Sequence, residues 1–458
     1  MTFLGLDLGT SFIKAATLDL DALTVGPVQR VPFPAPLVGL PPLCHEVDPT
    51  SVLAATRELL DLLAAQTPHC AGLVLCGQMG GLVLTNERGE ALSNYISWLD
   101  KRALQPHPSG TGSVFDALLH QLSTDDWRRL GREVRPGLPL SFLFWLAEHG
   151  QRPSPGTFAA TLPDFVLANL CGCAPVTHFT NAVGALNLET LDWHRGLFAR
   201  LGLSEIRWPA LRDVREPVGH LRINAKTLSC YPPVGDHQCA LLGAGLDFGE
   251  LSLNISTGSQ VSLLTERWEP GDYQTRPFFD GRFLNTITNL PAGRALNLLL
   301  DLLTELPRAQ RFSLEDPWAF VVAEAAKATA TDLRAHLSFF PSPVGDSGTL
   351  TNIREDNFTV GQLFRAAFVD MAENYFTTAL RLSPAQAWRR VVFSGGLAQK
   401  TRPLRELIRE KFQRAARVRS SEDETLRGLL AVALVSSGRV ENLAAAVRVL
   451  GRMDAPAA

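Results

Sequence analysis

Apolar positions along the chain alternate between short runs and helical spacing. Residues 3–8 (FLGLDL) form an apolar run broken by one carboxylate, and 12–18 (FIKAATL) form a second. The polar turn Gly9-Thr10-Ser11 between them predicts a β-hairpin that starts the fold. Asp48-Pro49 supplies an N-cap and a first-turn proline for a helix over about 50–66. Two short strands are expected at 71–76 and 81–85, joined through Gly77-Gln78-Met79-Gly80, then a turn at 86–89 and a loop over 105–113. Helical spacing returns at 114–122, 139–148, 163–171 and 193–201. The proline-bearing stretch 204–235 reads as strand and loop. A second hairpin follows, 251–256 and 260–265, around Thr257-Gly258-Ser259. Beyond it the pattern is helical at 292–305, 314–328, 359–381, 402–415, 423–437 and 439–451, with one strand at 390–394 that ends in Gly395-Gly396.

The hairpin with a threonine turn occurs once in each half, at 3–18 and 251–265. That coarse repeat predicts two similar domains, 1–243 and 244–458. Composition supports a folded chain of this size. Hydrophobic residues make up 46% and charged residues 19% of 458, enough for large cores and too apolar for dominant disorder. The net charge of −3 carries no footprint for nucleic acid, so a phosphorylated ligand must be held by local groups. Seven scattered cysteines, with no CxxC pair, predict reduced thiols in a cytoplasmic protein. Cys171-Gly-Cys173 is too tight for zinc and no HExxH occurs. Asp7 interrupts the first apolar stretch and no basic segment precedes it, which argues against a signal peptide. No run of 18 apolar residues exists, so no membrane span is expected.

Five constellations carry candidate chemistry. In Asp7-Leu8-Gly9-Thr10-Ser11-Phe12-Ile13-Lys14, a carboxylate at a strand end offers a ligand for Mg²⁺, and the Gly-Thr turn offers N–H and hydroxyl donors to phosphate oxygens. Lys14 adds a point charge; the plain alternative is a polar hairpin turn. Ser256-Thr257-Gly258-Ser259 repeats that logic. Ser394-Gly395-Gly396-Leu397, between a strand and a helix, allows a flat ring or sugar to lie against backbone; neither GxGxxG nor GxxxxGK[ST] is present. In Gly235-Asp236-His237-Gln238, Asp236 is either a helix N-cap or a base at the mouth of a cleft between halves. His237 is the alternative base. Finally, Gln78 and Met79 with Trp98, Asp100 and Arg102 have the make-up of a polyol pocket, an apolar face with forked polar groups. The plain reading makes Trp98 a core aromatic and Asp100–Arg102 a surface ion pair of little worth.

In order and spacing these motifs resemble the FGGY carbohydrate kinase family across essentially the whole chain. DLGTSFIKA and ISTGSQ are similar to its two phosphate motifs, FSGGLAQ to its adenosine motif, and GDHQCALLG to the element with its catalytic aspartate. The resemblance implies an α/β fold of two ribonuclease-H-like (actin-like ATPase) domains around a central cleft. It implies transfer of the ATP γ-phosphoryl group to a terminal sugar hydroxyl with Mg²⁺. Asp236 is then the general base and Asp7 the metal residue. Thr10, Ser11, Lys14, Thr257, Gly258, Gly395 and Gly396 serve ATP, while Gln78, Met79, Trp98, Asp100 and Arg102 serve the sugar. Asp164 falls where the family has an Asp before a helix, and is expected to be structural or peripheral to the pocket. LNISTGSQVSL, GDHQC and RPFFDGRFLNTITNLPAGRALN are most similar to sedoheptulokinases. Gly80 replaces a histidine usual in xylulose kinases, and the smaller residue is expected to leave room for a longer ketose or to remove one hydroxyl contact. The partners implied are ATP and a small sugar, on a monomer or homodimer. The rivals are a pentulose kinase, a non-catalytic sugar sensor and an actin-like filament protein.

Overall fold

The computed structural model describes residues 1–67, 69–418 and 423–453. Its frame is two twisted sheets with matching topology. In the first, Thr2–Leu8 pairs antiparallel with Phe12–Asp19 and parallel with Cys70–Gly77. Lys226–Cys230 and Val234–Gly235 extend the parallel side, and Gln29–Pro32 and Thr24–Val25 the antiparallel side. The second sheet repeats the plan. Glu250–Ile255 pairs antiparallel with Ser259–Thr265 and parallel with Arg390–Ser394, which pairs parallel with Ala415–Val418. Phe283–Leu290 and Gln274–Pro277 complete it on the other side.

The two predicted hairpins are therefore the central strands of two like sheets. The helix after Asp48 runs Pro49–Gln66, with the Asp48 carboxylate accepting from Thr50 N at 3.0 Å and Ser51 N at 3.2 Å. Several expectations shift. The strand predicted at 81–85 is only Val83–Thr85 and pairs apart from the main sheet, with Phe158–Ala160, because Gly80 and Gly81 take positive φ and turn the chain away. The helix predicted to 415 ends at Phe412, where Gln413 turns left-handed and Ala415–Val418 becomes an edge strand. The strands Gln274–Pro277 and Phe283–Leu290 go unpredicted, since polar Thr275, Asn285 and Thr286 interrupt their apolar pattern and are buried as hydrogen-bonded pairs.

Helices Asp236–Gly243 and Glu424–Ser436 lie between the sheets and share one core with both. Glycines set their close approach. A Cβ on Gly243 would lie 1.8 Å from the Glu424 carbonyl oxygen, and one on Gly428 would lie 2.0 Å from that of Cys239. Gly243 and Gly428 thus face each other's helix, and a side chain on either would push the crossing apart. Gly428→Ala should destabilise the protein by about 1–3 kcal/mol, at the upper end because the obstacle is backbone. A urea titration checks this.

Among the described residues no helix is long and apolar enough to cross a membrane, and all seven cysteines are free thiols.

Candidate active site

The strand ends of both sheets and the two central helices converge on a cavity of about 410 Å³. Thr10, Gln78, Met79 and Trp98 line it from the first half, and Asn254, Gln260, Arg276, Thr288 and Ser394 from the second. Asp236, His237 and Thr425 come from the helices between them.

Asp236 is the first residue of its helix. Gly235 is the N-cap and makes no side-chain cap bond, so the N-cap reading of Asp236 falls. Its carboxylate accepts from the His237 backbone N–H at 2.7 Å. Burial, reinforced by the nearby Asp7 carboxylate, pushes its pKa up to about 7. Asp7 lies at the end of Thr2–Leu8, accepts from the Thr425 hydroxyl at 2.7 Å, and is likewise raised by burial.

His237 is not equivalent to Asp236. Arg276 donates to its Nδ1 at 2.7 Å, so the ring carries its proton on Nε2, a buried donor without a protein partner among the described residues. Burial and the flanking Arg276 and Arg135 hold its pKa well below the ordinary value, so the ring is neutral and its one lone pair is occupied. Arg276 also donates to Glu133 at 2.5 Å, and Glu133 pairs with Arg135 at 2.6 Å. This string ties the second sheet to the first half across the cavity.

Gln78 is fixed by Tyr95, whose hydroxyl donates to Oε1 at 3.1 Å, and Trp98 Nε1 donates to the Thr10 hydroxyl at 3.1 Å. Trp98 is thus a partly exposed wall, not a core aromatic. A second cavity, about 1100 Å³, opens in the C-terminal half between helices Gly293–Ala309, Pro317–Lys327 and Arg402–Phe412. Thr257, Gly396 and Lys400 line it. Gly395 stands behind at φ 87°, where a Cβ would lie 2.5 Å from the Ile255 carbonyl oxygen. The strand end can reach the second phosphate-like turn only because this residue lacks a side chain.

The domain model of the FGGY family of carbohydrate kinases, N-terminal domain, matches residues 2–243, more than half of the chain. The chain belongs to the FGGY family. It is 24% identical to sedoheptulokinase of Mus musculus over 90% of this chain and 92% of that protein. It is 27% identical to xylulose kinase of Bacillus subtilis (strain 168) over 60% of this chain and 56% of that protein. Among solved structures it is similar to gluconate kinase from Lactobacillus acidophilus, with a TM-score of 0.83 at 18% identity over 98% of this chain and 91% of that one. It is also similar to Plasmodium falciparum glycerol kinase with ADP, with a TM-score of 0.83 at 15% identity over 99% and 93%. The superpositions give the fold, two ribonuclease-H-like halves around a central cleft. As a member of the FGGY family, the chain is an ATP-using sugar kinase.

Against that family pattern, the structure redistributes several expected residues. Asp100 and Arg102 do not line the cavity. Arg102 grips Asp100 through Nε at 3.0 Å and Nη2 at 2.8 Å, reaches Glu46 at 2.5 Å, and lies over the Trp145 ring. Both are buried, so the surface-pair reading falls as well. They brace the loop that carries Trp98. Lys14 pairs with Asp423 at 2.9 Å and fastens the first hairpin to the start of helix Glu424–Ser436. Ser11 is exposed on the turn, with its carbonyl accepting from Phe33 N, and Gly258 is exposed at the tip of its turn. Asp164 is buried in a network with Thr161 and Asn181, as expected of a structural residue. Gly80 opens no extra room. It takes φ 92°, and a Cβ there would lie 2.8 Å from the Gly137 carbonyl oxygen and 3.3 Å from Trp98 Cβ, so the space is already filled.

Several lining residues carry no role in the sequence reading, among them Glu133, Arg135, Arg276 and Thr288. Glu133 and Arg135 lie in a loop without periodicity. Their one local signal is the flanking pair Gly131 and Gly137; a Cβ on Gly137 would lie 2.1 Å from the Trp98 carbonyl oxygen.

Proposed function

We propose that the protein phosphorylates the terminal hydroxyl of a ketose, with sedoheptulose as the favoured substrate and Asp236 as the base. The observation that carries the chemistry is the placement of Asp236, raised to a pKa of about 7, on a cavity walled by both halves. A carboxylate titrating near neutrality is matched to accept a hydroxyl proton as the phosphoryl group arrives. The sugar lies in the 410 Å³ cavity against Trp98, Met79 and Gln78, with His237 Nε2–H donating to one of its oxygens. ATP takes the larger cavity, its adenosine near Gly396 and its phosphates toward the Thr257 and Thr10 turns.

Magnesium fits the residues present. Asp7 and Asp236 are close enough for one carboxylate to raise the other, and Thr425 orients Asp7. Magnesium is held by one or two carboxylates together with water and substrate phosphates, not by a closed protein cage. Among the described residues there is no such cage. When bound, the ion would neutralise phosphate charge. Asp7, on the strand end nearest the first turn, is its proposed holder.

The choice of sugar rests on the relatives. Mouse and human sedoheptulokinases align over 90% and 94% of the chain, whereas Bacillus xylulose kinase aligns over 60%. Gly80 adds no volume to the cavity, so a longer ketose gains no room from it. A coupled ADP-release assay over C3 to C7 polyols and ketoses is the test. The expected result is the highest kcat/KM for the seven-carbon ketose. A pentulose ahead of it would overturn the substrate and leave the kinase reading intact.

A further inference from the structure

A third cavity, about 350 Å³, lies where the two halves join and shares no lining residue with the two already described. His178 and Asp213 line it from the first half, Phe279 and Arg282 from the second, and Glu441 from the chain after helix Glu424–Ser436. His178 is buried, and one end of its ring is fixed. The Thr180 hydroxyl accepts from Gly235 N at 3.1 Å, which turns its own proton toward His178 Nδ1 at 2.9 Å. Thr180 N donates to the same nitrogen at 3.3 Å. Nδ1 is therefore the acceptor and Nε2 carries the ring proton. Burial pushes the pKa of the ring down to about 4, so it is neutral. The ring stacks on Phe279 with centroids 5.2 Å apart, and its Nε2–H, on the side away from Thr180, has no protein partner among the described residues. An unpaired buried donor is costly, so this N–H is a point at which a ligand oxygen gains.

The charges of the cavity indicate what it takes. Arg215 holds both Asp213 oxygens, through Nε at 2.7 Å and Nη2 at 3.0 Å. The start of helix Leu443–Met453 would attract a phosphate, but the Asp280 carboxylate already fills it, accepting from Leu443 N at 3.2 Å and Ala444 N at 3.0 Å. What remains without a side-chain partner among the described residues is one cation, Arg282, one anion, Glu441, and the neutral His178 N–H. Donors and an acceptor of balanced charge beside an aromatic ring suit a neutral polyhydroxy compound. The volume lies at the small end of ligand pockets, roughly 300–1,000 Å³, which fits a monosaccharide and not a nucleotide. We propose that this cavity is a second sugar site, one that takes a neutral polyhydroxy compound and is coupled to the catalytic helix. The coupling runs through Thr180. Its hydroxyl joins His178 to Gly235, the residue before Asp236, and its carbonyl accepts from Gln238 Nε2 at 3.1 Å.

The test reads both sugar cavities in one spectrum, because His178 and His237 each carry a neutral ring with its proton on Nε2. In the full chain labelled with ¹⁵N-histidine, the two ring signals are assigned by their loss in His178→Asn and His237→Asn. Ketoses of five to seven carbons, a polyol that is not a substrate, inorganic phosphate and a ketose phosphate are titrated separately. A neutral sugar should move the His178 signal along a saturable curve distinct from that of His237. Arg282→Met should weaken this binding by roughly 10-fold, the loss of one charged hydrogen bond. Turnover at saturating ATP should change over the same concentrations: a departure from a hyperbola where the ligand is the substrate ketose, a shift in kcat/KM where it is another polyol. His178→Asn keeps an acceptor for Thr180 but lacks the far N–H, so it should abolish that change while the rate at low sugar stays near that of the wild type. No movement of the His178 signal with any sugar, or movement with the phosphates alone, would overturn the site. Movement with no change in turnover would overturn the coupling. The coupling rests on Asp236 as the base and the binding does not, so full turnover in Asp236→Asn would refute that base and leave the His178 titration standing.

Discussion

Replacing Asp236 by Asn should lower kcat by about 10²–10⁴-fold while leaving the fold and ATP affinity nearly unchanged. A sugar hydroxyl is a poor nucleophile until its proton has an acceptor. Asn keeps the size and the bond from His237 N–H but cannot take that proton. The structure moves Asp236 off the cap: Gly235 occupies the N-cap, and the bond that the Asp236 carboxylate accepts from the first-turn His237 N–H is one that Asn can also accept, so capping does not explain a loss of rate in the variant. The rate should also follow its ionisation. With the carboxyl raised to about 7, kcat/KM should climb as pH rises through 7 and level off above it. Stability should move the other way. The folded-state value lies above the ordinary 3.8, so ionising this group costs folding free energy as pH rises from about 4 through 7. Asn removes that cost, so the variant's Tm at pH 8 should equal or exceed the wild type's. Near-normal turnover would dismiss Asp236 as the base. His237 would be a poor replacement, since Arg276 occupies its lone pair.

Much of the frame is legible in sequence because the elements that define it are locally consistent. The hairpins at 3–18 and 251–265 have predominantly apolar strands and short polar turns, and both are the centres of their sheets. The helices with clear starts, such as the one after Asp48, fall where the caps put them. What escapes is held by long-range pairing. Phe283–Leu290 carries polar residues that are tolerated because Ser262 and Thr275 reach them from neighbouring strands. The site divides in the same way. Residues tied to a strand end or a glycine turn, such as Asp236, Thr10, Thr257 and Gly396, are visible as motifs and line one of the two cavities. Glu133, Arg135 and Arg276 gain meaning only when a loop and a distant strand meet across the cleft, and no spacing rule encodes that meeting.

Asp100 and Arg102 show the same limit from the other side, because their sequence pattern is clear and its meaning is not. Read alone, the pair serves a polyol or forms a weak surface bridge. The structure instead buries both, and the fork of Arg102 satisfies the two Asp100 oxygens while also reaching Glu46. Asp100 further accepts from His45 N at 2.6 Å, so the carboxylate joins two chain segments. Arg102→Met should therefore cost about 3–5 kcal/mol in a urea titration, because it leaves a buried carboxylate without its counter-charge. Adding Asp100→Asn to that variant should recover part of the loss, since the fully buried carboxylate is then gone and only the more exposed Glu46 lacks its partner. The kinetic signature should differ from that of Asp236→Asn. Slackening the loop that carries Trp98 should raise KM for the sugar more than it lowers kcat, because the base is untouched. If Arg102→Met proved as stable as wild type while the sugar KM rose steeply, the brace would be refuted and a direct sugar contact restored.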